Sequence, residues 1–170
     1  GAAEHKGRLQ AGGRSVLRSS ISAVSSIAIT REDDAYFSDR GWSRSGVPLP
    51  FTTQVVTGDC VRDWSAAAQI TALFPYDRDL HPTLGDSKAL LKQLWPVRPH
   101  LLARKELGGT QVEVGKTWFE WNRFLTHKFA EPRSLLFAFV ATHNQFVFDK
   151  GRVSVRSAPA IKLPADAADA

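Results

Sequence analysis

The last third of the chain is patterned for a sheet, which limits the architectures open to it. Residues 135–141, LLFAFVA, have the length and composition of a buried strand. Phe146 and Phe148 then alternate with Gln145 and Val147, and Asp149-Lys150-Gly151 supplies turn chemistry. Beyond it Val153 and Val155 alternate with Arg152, Ser154 and Arg156. The pattern predicts a C-terminal β-hairpin of 146–148 against 153–155, entered through the loop Thr142-His143-Asn144. Arg152 and Arg156 fall on its solvent or ligand face.

Upstream the apolar runs are shorter. SSIAIT, with Ile27 and Ile29 alternating, reads as a strand, and the acidic turn REDDAYF and the loop GWSRSGVPLP follow it. AAAQITALFPY suits a buried strand or a short helix, and periodicity does not choose between them. Residues 87–95 have helical spacing. Ser87 stands at the N-cap, and Leu90, Leu91, Leu94 and Trp95 lie on one face. Pro96 stops or kinks that helix, and Pro99 opens a second helical turn ended by Gly108-Gly109. KTWFEWNRFL fits a helix or an extended strand equally well. The expectation is an α+β fold: a mixed or antiparallel sheet, a C-terminal β-hairpin and a few short helices.

The 170 residues are one domain's length. Residues 1–21, rich in Gly, Ala, Ser and Arg, read as a linker or disordered N-terminal segment, and 165–170 as a disordered tail. Residues 22–164 make up the domain. No apolar run reaches the ~18 residues of a membrane span, so no membrane is expected. The single Cys60 excludes an intramolecular disulfide framework and a four-cysteine zinc site, and suits a reducing, cytoplasmic compartment. Met is absent even at position 1, which reads as a processed chain or a piece of a longer one.

The net charge of +5 hides an asymmetry. Residues 1–85 hold nine basic and nine acidic side chains, whereas 86–164 hold thirteen basic against six acidic, a net +7. Such a block, interleaved with aromatics, attracts a polyanion. Arg outnumbers Lys fourteen to eight, which favours forked recognition of phosphates and guanine edges.

Catalytic chemistry finds little footing. There is no Gly-x-Ser-x-Gly elbow, no phosphate-binding loop, no Gly-x-Gly-x-x-Gly fingerprint and no His-x-x-x-His spacing. Cys60 as a thiol nucleophile competes with the plainer reading of a small buried residue. Trp118, Trp121 and Arg123 stand with Lys116 and Lys128 in one short stretch. Indoles stack on exposed bases while cations hold phosphates, although tryptophans at helical spacing also serve as core. The run Thr142-His143-Asn144-Gln145 offers groups of the kind that read base edges, and equally suits a polar loop.

The order ITREDDAYF, VVTGDCVRDW, ALFPYD, LWPVRPHLLAR, TWFEWNRF, FAFVATHNQFVFDKG and SAPAIKLP resembles one family over about residues 27–164. It is the C-terminal target-recognition region of adenine-specific DNA methyltransferases of the BREX, or phage-growth-limitation, type, related to fused type II restriction–modification enzymes. The most specific parts are ATHNQFVFDKG and SAPAIKLP. The resemblance implies an upstream S-adenosylmethionine domain with an Asn-Pro-Pro-Tyr/Phe motif that methylates a flipped adenine. This chain carries neither that motif nor a Gly-rich cofactor motif, so it alone is expected to be non-catalytic and cofactor-free. Where the family often has Lys after the Pro before its buried strand, this chain reads Glu131-Pro132-Arg133, a departure that puts one phosphate contact in question. The implied partner is double-stranded DNA. Arg62, Arg104, Lys116, Arg123 and Arg152 would hold phosphates, Trp121, His143 and Asn144 would sit near the bases, and Lys105 and Trp118 complete the set. A catalytic domain or other defence-system subunits are further expected partners. The alternative is a protein-interaction or scaffold module of a phage-defence assembly.

Overall fold

The computed structural model describes residues 4 and 21 and residues 23–62, 64–66, 70–130 and 133–163. Apart from Glu4 and Ile21, the expected linker and the expected tail lie outside the described residues. In chain order the elements are β1 (Ala23–Ser25), β2 (Ala28–Ile29), α1 (Asp33–Tyr36), β3 (Phe37–Ser38), β4 (Thr52–Val56), β5 (Val61–Arg62) and β6 (Ser65–Ala66). There follow β7 (Ile70–Leu73), α2 (Lys88–Leu94), α3 (Arg98–Ala103), β8 (Lys105–Glu106), β9 (Gly109–Thr110) and β10 (Arg123–Phe124). The chain closes with α4 (Thr126–Phe129), β11 (Arg133–Phe137), β12 (Phe146–Lys150), β13 (Val153–Ser154) and β14 (Ala160–Lys162). The α+β expectation holds.

Two four-stranded sheets organise these pieces. The first, in the order β1-β14-β11-β12, is antiparallel throughout. The second, β13-β4-β7-β3, is mixed: β13 runs parallel to β4 and the other pairs are antiparallel. The larger core lies on the second sheet, where Val55, Leu73 and Val153 meet Leu90 and Leu94 of α2 and the buried Trp121. A smaller core of Val56, Val61, Leu136, Val147 and Ala160 joins the first sheet to β4 and β5.

The C-terminal hairpin forms, but from other strands than the pattern predicts. β12 pairs with β11, not with 153–155, placing Leu135 opposite Phe148 and Leu136 opposite Val147. This register buries Leu136 and Val147 together. The Asp149 carboxylate accepts the N–H groups of Gly151 and Arg152 at 3.2 and 2.8 Å and turns the chain away. Gly151, at φ +124°, takes the bend that other residues rarely adopt. β13 can then join the other sheet beside Val55 and Val56.

The expected strand over 135–141 is a second correction. It ends at Phe137, and Phe139 and Val140 stand exposed in the loop that follows.

The remaining expectations resolve simply. The Ser87 hydroxyl accepts the Leu90 N–H at 3.1 Å, a cap worth about 1 kcal/mol, and starts α2 as predicted. Only Leu90 and Leu94 of its apolar stripe are fully buried, while Leu91 and Trp95 face outward. Pro96 ends the α-helix in a 3-10 turn, and Pro99 lies in the first turn of α3. Within AAAQITALFPY, Ile70–Leu73 form strand β7 and Ala66 ends β6, and only Arg123 and Phe124 of KTWFEWNRFL form a strand, paired with β2.

Candidate nucleic-acid interface

β2 lies beside the end of β13. The Ile27 N–H donates to the Ser154 carbonyl at 3.0 Å, and Ala28 bridges Val155. On the other side of that junction the Gly58 N–H donates to the Ser157 hydroxyl at 3.1 Å. Gly58 packs so tightly there that a Cβ would collide with the Ser157 carbonyl, so glycine sets the approach of the 58–60 turn. The junction opens into a cleft of about 1160 Å³. The 138–142 loop and Gln145 line it together with Arg31, Arg62 and Arg156.

The charge in the cleft is mixed. Three arginines face Glu32, Asp33, Asp34 and Asp59. The Thr30 hydroxyl donates to Asp33, which ties one of these carboxylates to the start of α1. A trough built only to attract phosphate would be one-signed. Arginine beside carboxylate and amide suits the donor and acceptor edges of bases, since Arg forks onto guanine and carboxylates accept from cytosine. Arg31 holds φ +59°, an uncommon conformation for a side-chain-bearing residue. It also borders a second depression of about 430 Å³ with Glu32, His100 and Lys105.

Beyond Arg31 the cations gather. The Lys116 ammonium sits 2.7 Å from the Glu106 carboxylate, and this hydrogen bond, opposed by slight burial and aided by Arg31 and Arg123, holds the Glu106 carboxyl below its usual range. Lys105 and Arg123 are exposed on β8 and β10.

The structure separates the ten residues singled out in the sequence. Arg104 is 4% exposed and already fully used. Its Nε donates to Leu101 O at 3.1 Å, Nη1 to Thr30 O at 2.8 Å, and Nη2 to Trp118 O and Glu120 O, both at 2.8 Å. Its guanidinium also lies 5.7 Å from the Tyr36 ring centre. The expectation that Arg104 holds a phosphate gives way to a strut between three segments.

Trp121 is likewise a core residue, 1% exposed, with its indole N–H on Leu73 O at 3.1 Å. It packs edge-on to Phe74, Tyr76 and Phe124 at 5.4, 5.7 and 5.3 Å, which removes it from any base stack. Trp118 is half-buried beside Trp95, with Arg98 stacked on both rings. Lys116 also donates to Asn122 O, and Arg152 is held by Asp149 and Ala66 O. Arg62, Lys105, Arg123, His143 and Asn144 remain exposed. His143 sits between the Thr142 hydroxyl and the Gln145 amide, both at 3.1 Å, so the loop residues brace one another.

Arg31 escaped the sequence reading, because its signal is a backbone conformation and not a residue pattern. The exposed Phe139 and Val140 escaped because the run LLFAFVA reads as wholly buried. Cys60 is buried, with its sulfur 3.0 Å from the Thr57 hydroxyl. Asp77, Asp79 and His81 lie close together in an exposed turn, where one Asp77 oxygen accepts the N–H groups of Asp79 and His81 at 2.9 Å and shapes the loop. Among the described residues no helix is long and apolar enough to cross a membrane.

Fold and site together define an α+β domain with an open, mixed-charge cleft flanked by cations. No protein-family model matches the chain. In an alignment of 163 positions that covers 92% of the chain, it is 34% identical to the "Adenine-specific methyltransferase PglX" of Streptomyces coelicolor. The chain spans only 13% of that protein, so it is related to one region of a much longer polypeptide.

Proposed function

We propose that the chain is the DNA target-recognition portion of a site-specific N6-adenine DNA methyltransferase of a phage-defence system, and that it reads duplex DNA through the Arg31–Arg62–Arg156 cleft. The observation that carries this reading is the convergence of Arg62 with Thr142 and Gln145, from segments far apart in the chain, on one cleft that adjoins the exposed Lys105. The similarity to one region of a named adenine-specific methyltransferase supports it. Methyl transfer from S-adenosylmethionine belongs to a part of such an enzyme other than this region. The chain has no Asn-Pro-Pro-Tyr/Phe sequence to hold an adenine amino group. Arg62, Arg123 and Lys105 hold phosphates in this reading, and the His143–Asn144 loop reaches base edges.

A salt titration of binding to a randomised duplex pool tests it. Log K falls by ~0.9 per log unit of salt for each phosphate neutralised. Arg123→Ala weakens binding evenly across sequences, whereas Asn144→Ala changes which sequences are preferred. A flat titration, or no binding at low salt, would overturn the reading.

One observation favours the second reading, a protein-interaction module. In the first sheet Val24, Ile161, Leu135 and Phe148 stand opposite one another in one row across all four strands. The adjacent row of Ser25, Ala160, Leu136 and Val147 points to the other face, and its last three members are buried in the smaller core. The sheet is thus apolar on both sides, with Val24 and Phe148 exposed, a pattern typical of a sheet covered on both faces. Stable co-purification with a partner subunit, without duplex affinity, would favour this reading.

A further inference from the structure

The geometry points to Trp64 as a stacking wedge that packs on a base of the duplex held in the cleft, an assignment that rests on the DNA reading above. Arg62 pairs with Ser65 across β5 and β6, which leaves a two-residue connection whose second member is Trp64. Trp64 holds φ +63°, and two-residue hairpin connections normally place Gly or Asn at such a position because a Cβ is disfavoured there. The chain instead puts its bulkiest residue type there and leaves it 87% exposed. A large apolar side chain in a disfavoured conformation that contributes so little burial is hard to explain by folding alone.

Its position is fixed. The Trp64 N–H donates to the Phe146 carbonyl at 3.0 Å, and Phe146 directly follows Gln145, which lines the cleft. Arg62, two residues before Trp64, lines the cleft as well. The Trp64 backbone is therefore anchored close in the chain to one cation and one amide that line the cleft, while its indole stands in solvent. Apolar wedges beside cations are a recurrent way to engage DNA: the ring takes a base or base step while the cations take the backbone.

The test compares the unaltered chain with Trp64→Gly, Trp64→Ala and Trp64→Phe on a randomised duplex pool, reading affinity, salt slope and quenching of tryptophan fluorescence. Trp64→Gly suits the positive φ and should melt no earlier than the unaltered chain, so a binding loss there is not a folding loss. Gly and Ala should weaken binding roughly five- to hundredfold with the salt slope unchanged, because a stacked ring neutralises no phosphate. Phe should retain most of the affinity while losing part of the quenching. Undiminished binding by Trp64→Gly would overturn the wedge and leave the DNA reading standing. A reduced salt slope would overturn it too, by showing that Trp64 only positions a phosphate contact. No duplex binding by the unaltered chain would overturn the DNA reading and the wedge together.

Discussion

Two regions of this protein use the same residue types to opposite ends. From α3 to β10, Arg104 and Trp121 point inward: the guanidinium serves four carbonyls and the indole N–H serves a fifth. Around the cleft, Arg62 and Trp64 point outward. The difference follows from the backbone nearby. The run Thr117–Asn122 is largely irregular, so its carbonyls lack strand partners, and buried carbonyls need donors. Arg104 and Gln111 supply them; the Gln111 amide donates to Thr117 O and Glu120 O at 2.7 and 2.9 Å. At the cleft the Arg62 guanidinium reaches only the carbonyl of its own neighbour, Val61, at 2.8 Å, and the Arg62 and Trp64 side chains stay exposed. Residue type alone does not separate a strut from a contact; the hydrogen-bond needs of the adjacent backbone do.

The contrast can be broken most sharply at Arg104. Arg104→Met keeps much of the stem but takes a donor from four carbonyls, of which Glu120 O retains another, the Gln111 amide, and should cost about 3–5 kcal/mol in urea unfolding. A stable variant that had instead lost duplex affinity would move Arg104 to the interface side.

The next effect is alkaline. Burial, opposed by the nearby Arg104 charge, pushes the Tyr36 hydroxyl up to about 12, whereas in the unfolded chain it ionises near 10.0. Between these values the unfolded state gives up a proton that the folded state keeps. Stability is therefore full below about pH 10 and declines as pH rises through about 12, by roughly 3 kcal/mol from this group. Tyr76, also raised by burial, acts in the same direction. Urea midpoints measured from neutral pH upward check this, and a flat profile would mean that the aromatic core admits water.

The smallest effect on stability belongs to the cleft. Arg62→Ala should change stability by no more than about 0.5 kcal/mol while lowering the salt slope of duplex binding by ~0.9. A large stability loss would show that Arg62 belongs with Arg104.

Much of the fold was legible in the sequence because it is written in local terms. Ser87 caps α2 through its own hydroxyl, Pro96 halts that helix where the missing N–H demands, and the two-residue period of β12 is visible as FVFDK. Pairing was not legible. Alternation fixes which side chains of 146–150 share a face, yet β11 and β13 offer equally suitable apolar neighbours, and only the joint burial of Leu136 and Val147 decides between them. The candidate site divided in the same way. The exposed loop His143–Asn144 could be found from composition, while Arg31 and Trp64 are marked by positive φ values that a residue pattern does not record.

The sequence by itself determined the α+β class, the Ser87 cap and Pro96 stop of α2, and the basic bias of residues 86–164, since these rest on short-range sterics and on counting charge. Tertiary structure decided which arginines and tryptophans remain available to a partner. That choice depends on carbonyls supplied by segments as far apart as Thr30 and Glu120, which meet around Arg104 only when the chain is folded.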